Sequence, residues 1–513
     1  MTESFRSLGY LAPSDLTFDE DALSGHSADR IRRRTPFFVR VNMVVIKNAA
    51  WLSACRIAAD LSGLVLFTVI SRRYGPMGTG EYSYAFALGA FIAILATSGI
   101  EQYGVRQLAC LKSGQDKSNC WQSLLVTQSI QLSAGLLILA AVMLVVGTQR
   151  ASPIVILELT IFLVGWGLSR TLYVPASAAQ AMVAPAFTEL ACRLAGTGFA
   201  LAMCLYKSIP LVVILAGFPI AGLVLVAFSL RNARLHGANF GFHARWREVV
   251  ATIRGAAPFT LCEALGQFYM RVDLLLIVFL LGKANGGWYA TDIKIVEVGL
   301  MPLVLLGTAA YPVLSRSAAH GVEEFAPLSR DFFRSVLFAS GWLAVGLYCL
   351  APLVLTRLLG SAFQPAGHLL PLFAVLAVFK GVEVVLYRLL YAVNKQNTYL
   401  GALAVGTALI VVLNYTLIPR FGATGAVSAV LLSSAVVNLM CAFALREEIS
   451  RSLFGKNMIR LASVLGVTVL AVFGLKTLQI GAWEVGIAGC VLFPLAALLS
   501  GLFPNPRKSP LFA

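Results

Sequence analysis

Residues 255–281, GAAPFTLCEALGQFYMRVDLLLIVFLL, and 286–315, GGWYATDIKIVEVGLMPLVLLGTAAYPVLS, decide the fold. Each run exceeds the ~20 mostly apolar residues that carry a helix across a bilayer. Only the short turn Gly282–Asn285 parts them. Each run also holds a cation, Arg271 in the first and Lys294 in the second. A cation in the middle of a spanning helix costs roughly 2.5–3.5 kcal/mol on insertion scales, so it persists only where it faces protein, water or an anion.

The same reading extends outward over about fourteen runs, at 44–71, 82–100, 121–147, 153–174, 184–206, 209–230, 255–281, 286–315, 335–351, 369–392, 398–418, 423–445, 461–475 and 482–503. A chain that is 58% hydrophobic and 12% charged, with mean hydropathy +0.81, lies far from the ~25% charged composition of soluble domains. No stretch between runs is long enough to bury a core of its own. The class is therefore an all-α integral membrane protein of about fourteen transmembrane helices.

The formal charge of +16 does not indicate nucleic acid, because the basic residues are spread over short loops. Eight of the forty lie inside runs: Lys47, Arg56, Arg170, Arg193, Arg271, Lys294, Lys380 and Arg388. With a cytoplasmic N-terminus, the remainder divide into 24 on the inside and 8 on the outside. That asymmetry predicts both termini in the cytoplasm and an even number of crossings. Residues 1–40 contain no apolar leader segment, so no cleavable signal is expected. The nine Cys have no paired spacing, and the five His lack ligand spacing, so neither disulfides, nor a metal site, nor a cofactor is expected.

Five segments follow. Residues 1–41 form a polar cytoplasmic tail with Asp19, Glu20 and Asp21 ahead of Arg30 and Arg32–Arg34, suited to orientation and to anionic headgroups. Residues 42–230 form an N-lobe of six spans and 231–254 a basic cytoplasmic linker. Residues 255–446 form a C-lobe of six spans, and 447–513 carry two further spans and a short tail. The halves echo one another. Arg56 and Asp60 precede the Gly-rich turn 75–80, while Arg271 and Asp273 precede the Gly-rich turn 282–287; aromatic residues and an alanine follow both turns. Six spans preserve orientation, so such repeats would be parallel. The two turns lie on the same side and are expected to meet as an outer gate.

These motifs also carry a resemblance. Asn48 and Arg56, SRRYGPMGTGEYSYA at 71–85, GIEQYGVRQLA at 99–109, RVD at 271–273 with GWYA at 287–290, and NYTLIPRFGATGA at 414–426 resemble the Wzx-type polysaccharide and lipid-linked oligosaccharide flippases. That family falls within the multidrug/oligosaccharidyl-lipid/polysaccharide exporter superfamily, and the match runs from residue 42 over nearly the whole chain. The resemblance implies two six-helix lobes in a V that move a polyprenyl-diphosphate-linked oligosaccharide by alternating access.

Such a cargo needs a cationic, hydrated path for its head. Arg56, Arg193, Arg271, Lys294 and Lys380 are the candidate substrate-binding residues, with arginine suited to bidentate contact with phosphate. The competing reading is local neutralisation, since Arg56–Asp60 and Glu189–Arg193 are spaced i,i+4 and Lys294–Glu297 and Lys380–Glu383 i,i+3. Arg170 and Arg388 lie near the cytoplasmic ends and are expected to snorkel. Asp60, Glu263, Asp273 and Glu383 are candidates to bind a proton or Na⁺ that resets the carrier; the alternative is that they serve as counter-ions. Trp166, Tyr173, Phe268, Tyr269, Tyr387 and Tyr391 either stack on sugars or pack.

The expected setting is a bacterial inner membrane, feeding exopolysaccharide, capsule or O-antigen assembly. The partners are the lipid-linked oligosaccharide, membrane lipids and polysaccharide polymerase or export proteins. A drug/cation antiporter fits less well, since its cavity should be acidic. A membrane-embedded glycan polymerase or ligase would carry a large outer catalytic loop; here the outer connections are short and hold one histidine, His368.

Overall fold

The computed structural model describes residues 28–502 apart from 112–113, 147–149, 180, 207, 239, 242–243, 447, 449–451 and 478–480. The first 27 residues of the expected tail therefore lie outside the described residues, as do the end of the chain from 503 and the side chains of 28–50, Lys47 among them.

The chain divides into two compact units, Met1–Arg56 and Ile57–Ala513. The described backbone of the first is helical from Ala28. The helix therefore begins within the stretch read as a polar tail.

Helix α1 is Ala28–Thr97, broken where Gly75 takes φ 63°. There follow α2 Ile100–Cys110, α3 Gly114–Val146, α4 Pro153–Leu172, α5 Val174–Ala178, α6 Val183–Met203, α7 Leu211–Leu215 and α8 Gly217–Leu235. The second half holds α9 Trp246–Leu281, α10 Lys283–Ala319, α11 Val322–Cys349, α12 Ala351–Leu359, a 3₁₀ turn Ser361–His368, α13 Leu370–Ala392 and α14 Gln396–Ala444, broken at Gly422. Helices α15 Ser452–Thr477 and α16 Ala482–Leu499 end the described chain. Among the described residues the fourteen apolar runs lie mostly on helix, and eleven helices are long and apolar enough to cross a membrane. Two of these eleven, 54–108 and 396–444, contain a glycine break. The protein is an all-α integral membrane protein.

Helix packing sorts into two sets. Among the earlier helices α8 lies against α4 and α6; among the later ones α9, α10, α11, α13 and α14 pack on one another, and α15 and α16 pack together on α11. Close approach along these seams depends on small residues. Gly165 of α4 and Gly222 of α8 leave no room for a Cβ between their backbones, as expected where packing rather than hydrophobicity drives association in lipid.

Helix α9 joins the two sets. It starts at Trp246, inside the stretch read as linker, and its first turns pack on α2 and α3. Thr260 donates to the Ser98 carbonyl at 2.9 Å, and the Ser123 and Thr252 hydroxyls lie 3.2 Å apart. A small separate core of Ile100, Trp121, Leu124, Leu172, Val174 and Ala256 forms at this end. Linker composition hid this helix because its first turn is polar (Trp246, Arg247, Glu248), as suits a helix end leaving the bilayer.

Candidate functional site

The charged residues that the sequence singles out gather around α9 and α10. Arg271 Nη2 of α9 lies 2.8 Å from Glu297 Oε1 of α10, and Lys294 Nζ reaches the same carboxylate at 3.4 Å. One acid thus holds two cations, leaving the trio a net charge of about +1. On α6, Arg193 pairs with Asp60 of α1 at 3.6 Å. Tyr82 of α1 packs on Phe67 and Phe86.

Burial distinguishes the cations. The Arg193–Asp60 pair is partly exposed, with side chains 26% and 46% accessible. Lys380 and Glu383 are only 13% and 5% accessible, 2.9 Å apart, with the ammonium 4.3 Å from the Tyr269 ring centroid. Removing one partner of such a pair costs roughly 3–5 kcal/mol. Lys380 is thus the most enclosed of these cations, while Arg193, Arg271 and Lys294 keep side chains 26%, 22% and 32% accessible beside their acids. Arg56 is exposed and belongs to the first compact unit.

The candidate acids have distinct partners. Asp60 and Glu383 sit on cations, as above. Glu263 accepts from Gln102 and lies 4.0 Å from Arg170. Asp273 is buried and accepts from the Tyr289 hydroxyl at 2.5 Å and from the Leu274 N–H at 2.8 Å. Sequence reasoning missed Asp292, which is wholly buried on α10 with neither carboxylate oxygen hydrogen-bonded among the described residues. An acid inside an apolar run was the available signal. Among the described residues no cluster of three or more His, Cys, Asp or Glu gathers as for a metal.

Several local expectations change. Arg170, expected to snorkel, pairs with Glu101 at 2.6 Å, because α2 turns back beside α4. Arg388 donates to Thr308 at 2.9 Å and lies 4.9 Å from the Tyr387 ring centroid, since α13 packs on α10. Arg193 takes Asp60 rather than its i,i+4 neighbour Glu189, which accepts from the Trp166 indole. The aromatic candidates mainly pack: Phe268 meets Phe91 at 5.3 Å, and Tyr387, Tyr391 and Tyr399 form a mutual cluster.

The two Gly-rich turns meet, as their spacing predicts. Gly75 and Gly282, at φ 63° and 89°, make the turns. Five residues beyond each, Gly80 and Gly287 touch across the seam. A Cβ on Gly80 would lie 1.8 Å from the Lys283 carbonyl oxygen, and one on Gly287 would lie 1.9 Å from that of Pro76. Glu81 fastens the contact, pairing with Lys283 at 3.1 Å and accepting the Ser152 N–H at 2.7 Å.

Comparison with known proteins agrees with this architecture. The chain is 24% identical over 260 residues to the probable low-salt glycan biosynthesis flippase Agl15 of Haloferax volcanii, a match covering 50% of this chain and 52% of the relative. The chain thus spans about half the length of the curated relative it matches. Among solved structures, the lipid II flippase MurJ in an inward closed conformation superposes with TM-score 0.67 at 15% identity, over 87% of this chain and 98% of that one. An inward-facing multidrug resistance MATE family transporter of the MOP superfamily gives 0.56 at 12% identity, over 76% and 95%. Both likenesses concern the fold. The family model described as polysaccharide biosynthesis protein matches residues 45–318, more than half of the sequence, and the chain belongs to that family.

Proposed function

We propose that this protein is a flippase that moves a polyprenyl-diphosphate-linked oligosaccharide from the cytoplasmic to the outer leaflet of a bacterial inner membrane, by alternating access. The observation that carries the reading is the sharing of Glu297 by Arg271 and Lys294, which leaves an excess cation between α9 and α10, with Arg193 paired to Asp60 between α6 and α1. Three partly accessible cations from both helix sets suit a diphosphate, which forked guanidinium groups grip bidentately. Lys380, neutralised here by Glu383, and Arg56 are the remaining candidate contacts. A drug/cation antiporter would need the opposite sign of charge at this place.

The seam at Gly80 and Gly287 is the outer gate, closed here, and its opening would pass the head outward while the tail stays in lipid. The 24-to-8 division of basic residues supports both termini inside and fourteen crossings. Two lobes, 42–230 and 255–446, would rock about α9. Asp60, Glu263, Asp273 and Glu383 are the proposed ion-coupling acids; of these, Asp273 accepts from Tyr289 and Leu274 and is in no ion pair among the described residues. Polysaccharide polymerase and export proteins would take the product. Depletion of the protein in its host tests the reading: a lipid-linked glycan should accumulate on the cytoplasmic leaflet. Normal surface glycan with no accumulated precursor would refute it.

A further inference from the structure

Away from the cation cluster, the surface between α11, α13 and α15 opens into a crevice of about 440 Å³. Its walls are almost wholly apolar: Val345 and Tyr348 from α11, Ala374 and Val378 from α13, and Leu461 and Val472 from α15. On α13 these positions lie on the far side of the helix from Lys380, at 100° per residue. The crevice therefore backs away from the proposed cargo path. It follows α15 from Met458 to Val472, a length of about 21 Å at 1.5 Å per residue. One fatty acyl chain, spanning a leaflet of about 15 Å of hydrocarbon, fits that length, whereas a polyprenyl tail of many isoprene units overruns it.

A cluster of cations stands where the crevice begins. Arg460 lies between the crevice residues Met458 and Leu461 and is exposed. Arg334 of α11 lies close enough to Arg460 and Arg330 to feel both, with Asp331 the acid beside them. Arg334 donates to the Gly501 carbonyl just past α16, while its Nε is buried and unbonded. Three arginines against one acid repel one another unless an anion joins them.

We propose that this crevice and its arginines bind one anionic phospholipid, the acyl chain lying between α11, α13 and α15 and the phosphate meeting Arg330, Arg334 and Arg460. The lipid would fasten the α15–α16 hairpin to the rest of the bundle. The site is independent of what the protein transports.

Native mass spectrometry of the full chain in detergent tests this with phosphatidylglycerol and phosphatidylethanolamine as probes. The protein should retain phosphatidylglycerol preferentially. The double variant Arg330→Gln/Arg460→Gln should weaken that retention roughly thirtyfold, two cations at about 1 kcal/mol each near an anionic lipid. Arg460→Lys should keep most of it, and Arg316→Gln, a cation elsewhere, should change nothing. Ala462→Trp, which fills the crevice, should displace both lipids. Equal retention of the two lipids, unchanged retention in the double variant, or loss with Arg316→Gln would overturn the proposal. So would competition by a polyprenyl diphosphate, which would assign the crevice to the cargo.

Discussion

Gly80→Ala should hold the outer gate partly open. The added Cβ would sit 1.8 Å from the Lys283 oxygen and 2.9 Å from the Gly287 nitrogen, both backbone atoms that no rotamer change can move. Ordinary contact begins near 3.4 Å, so the two turns must part by roughly 1.6 Å. That separation also stretches the Glu81–Lys283 pair beyond its 3.1 Å. Overpacking of this kind costs about 1–3 kcal/mol, which shifts a two-state equilibrium by roughly 5- to 150-fold. Thr79 reports the change because it is wholly buried at the closed seam. With the nine native cysteines replaced, Thr79→Cys should react with a maleimide faster by that factor once Gly80→Ala is added. Gly198→Ala, whose Cβ would meet nothing within 4 Å, should leave the rate unchanged. If Gly80→Ala leaves the labelling rate at its original value with normal protein abundance, the seam is not a gate.

Reporter fusions after Asn397 and Lys476 should read cytoplasmic and external respectively, and a reversal at either point would refute fourteen crossings. Arg271→Ala should abolish flipping at normal membrane abundance, with Arg271→Lys rescuing partly because a point charge lacks the bidentate fork; full activity in the alanine variant would make Arg271 structural. Lys380→Met should destabilise the detergent-solubilised protein by roughly 3–5 kcal/mol by leaving Glu383 buried and unpaired. Lys380→Met/Glu383→Gln should recover most of that loss, and a thermal melt that does not recover would place the effect elsewhere.

Much of the fold was legible because lipid imposes length and hydropathy on every crossing. Span seven and its successor were readable from 255–315 alone, and the matching Gly-rich turns pointed to the seam. The start of α9 was not, since a helix end outside the bilayer has the polar composition of a loop. Pairing was half legible. The i,i+3 pairs at Lys294 and Lys380 form as helical spacing predicts, because one helix supplies both partners. Arg193–Asp60, Arg271–Glu297 and Arg170–Glu101 join different helices, and periodicity carries no information about which faces meet. Asp292 was not legible because two residues on a helix face different ways, so its nearness to Lys294 in sequence does not tell that it is buried with no hydrogen-bond partner among the described residues.

Transport in a defined system tests the central claim most directly. Purified protein in liposomes would be given a polyprenyl-diphosphate oligosaccharide labelled on its glycan, and a membrane-impermeant glycan-modifying enzyme added outside would report which leaflet holds the head. The account expects protection from the enzyme to change with time only in protein-containing vesicles, and to stop changing with Arg193→Ala or Arg271→Ala. Equal exchange in protein-free vesicles, or exchange indifferent to both substitutions, would contradict it.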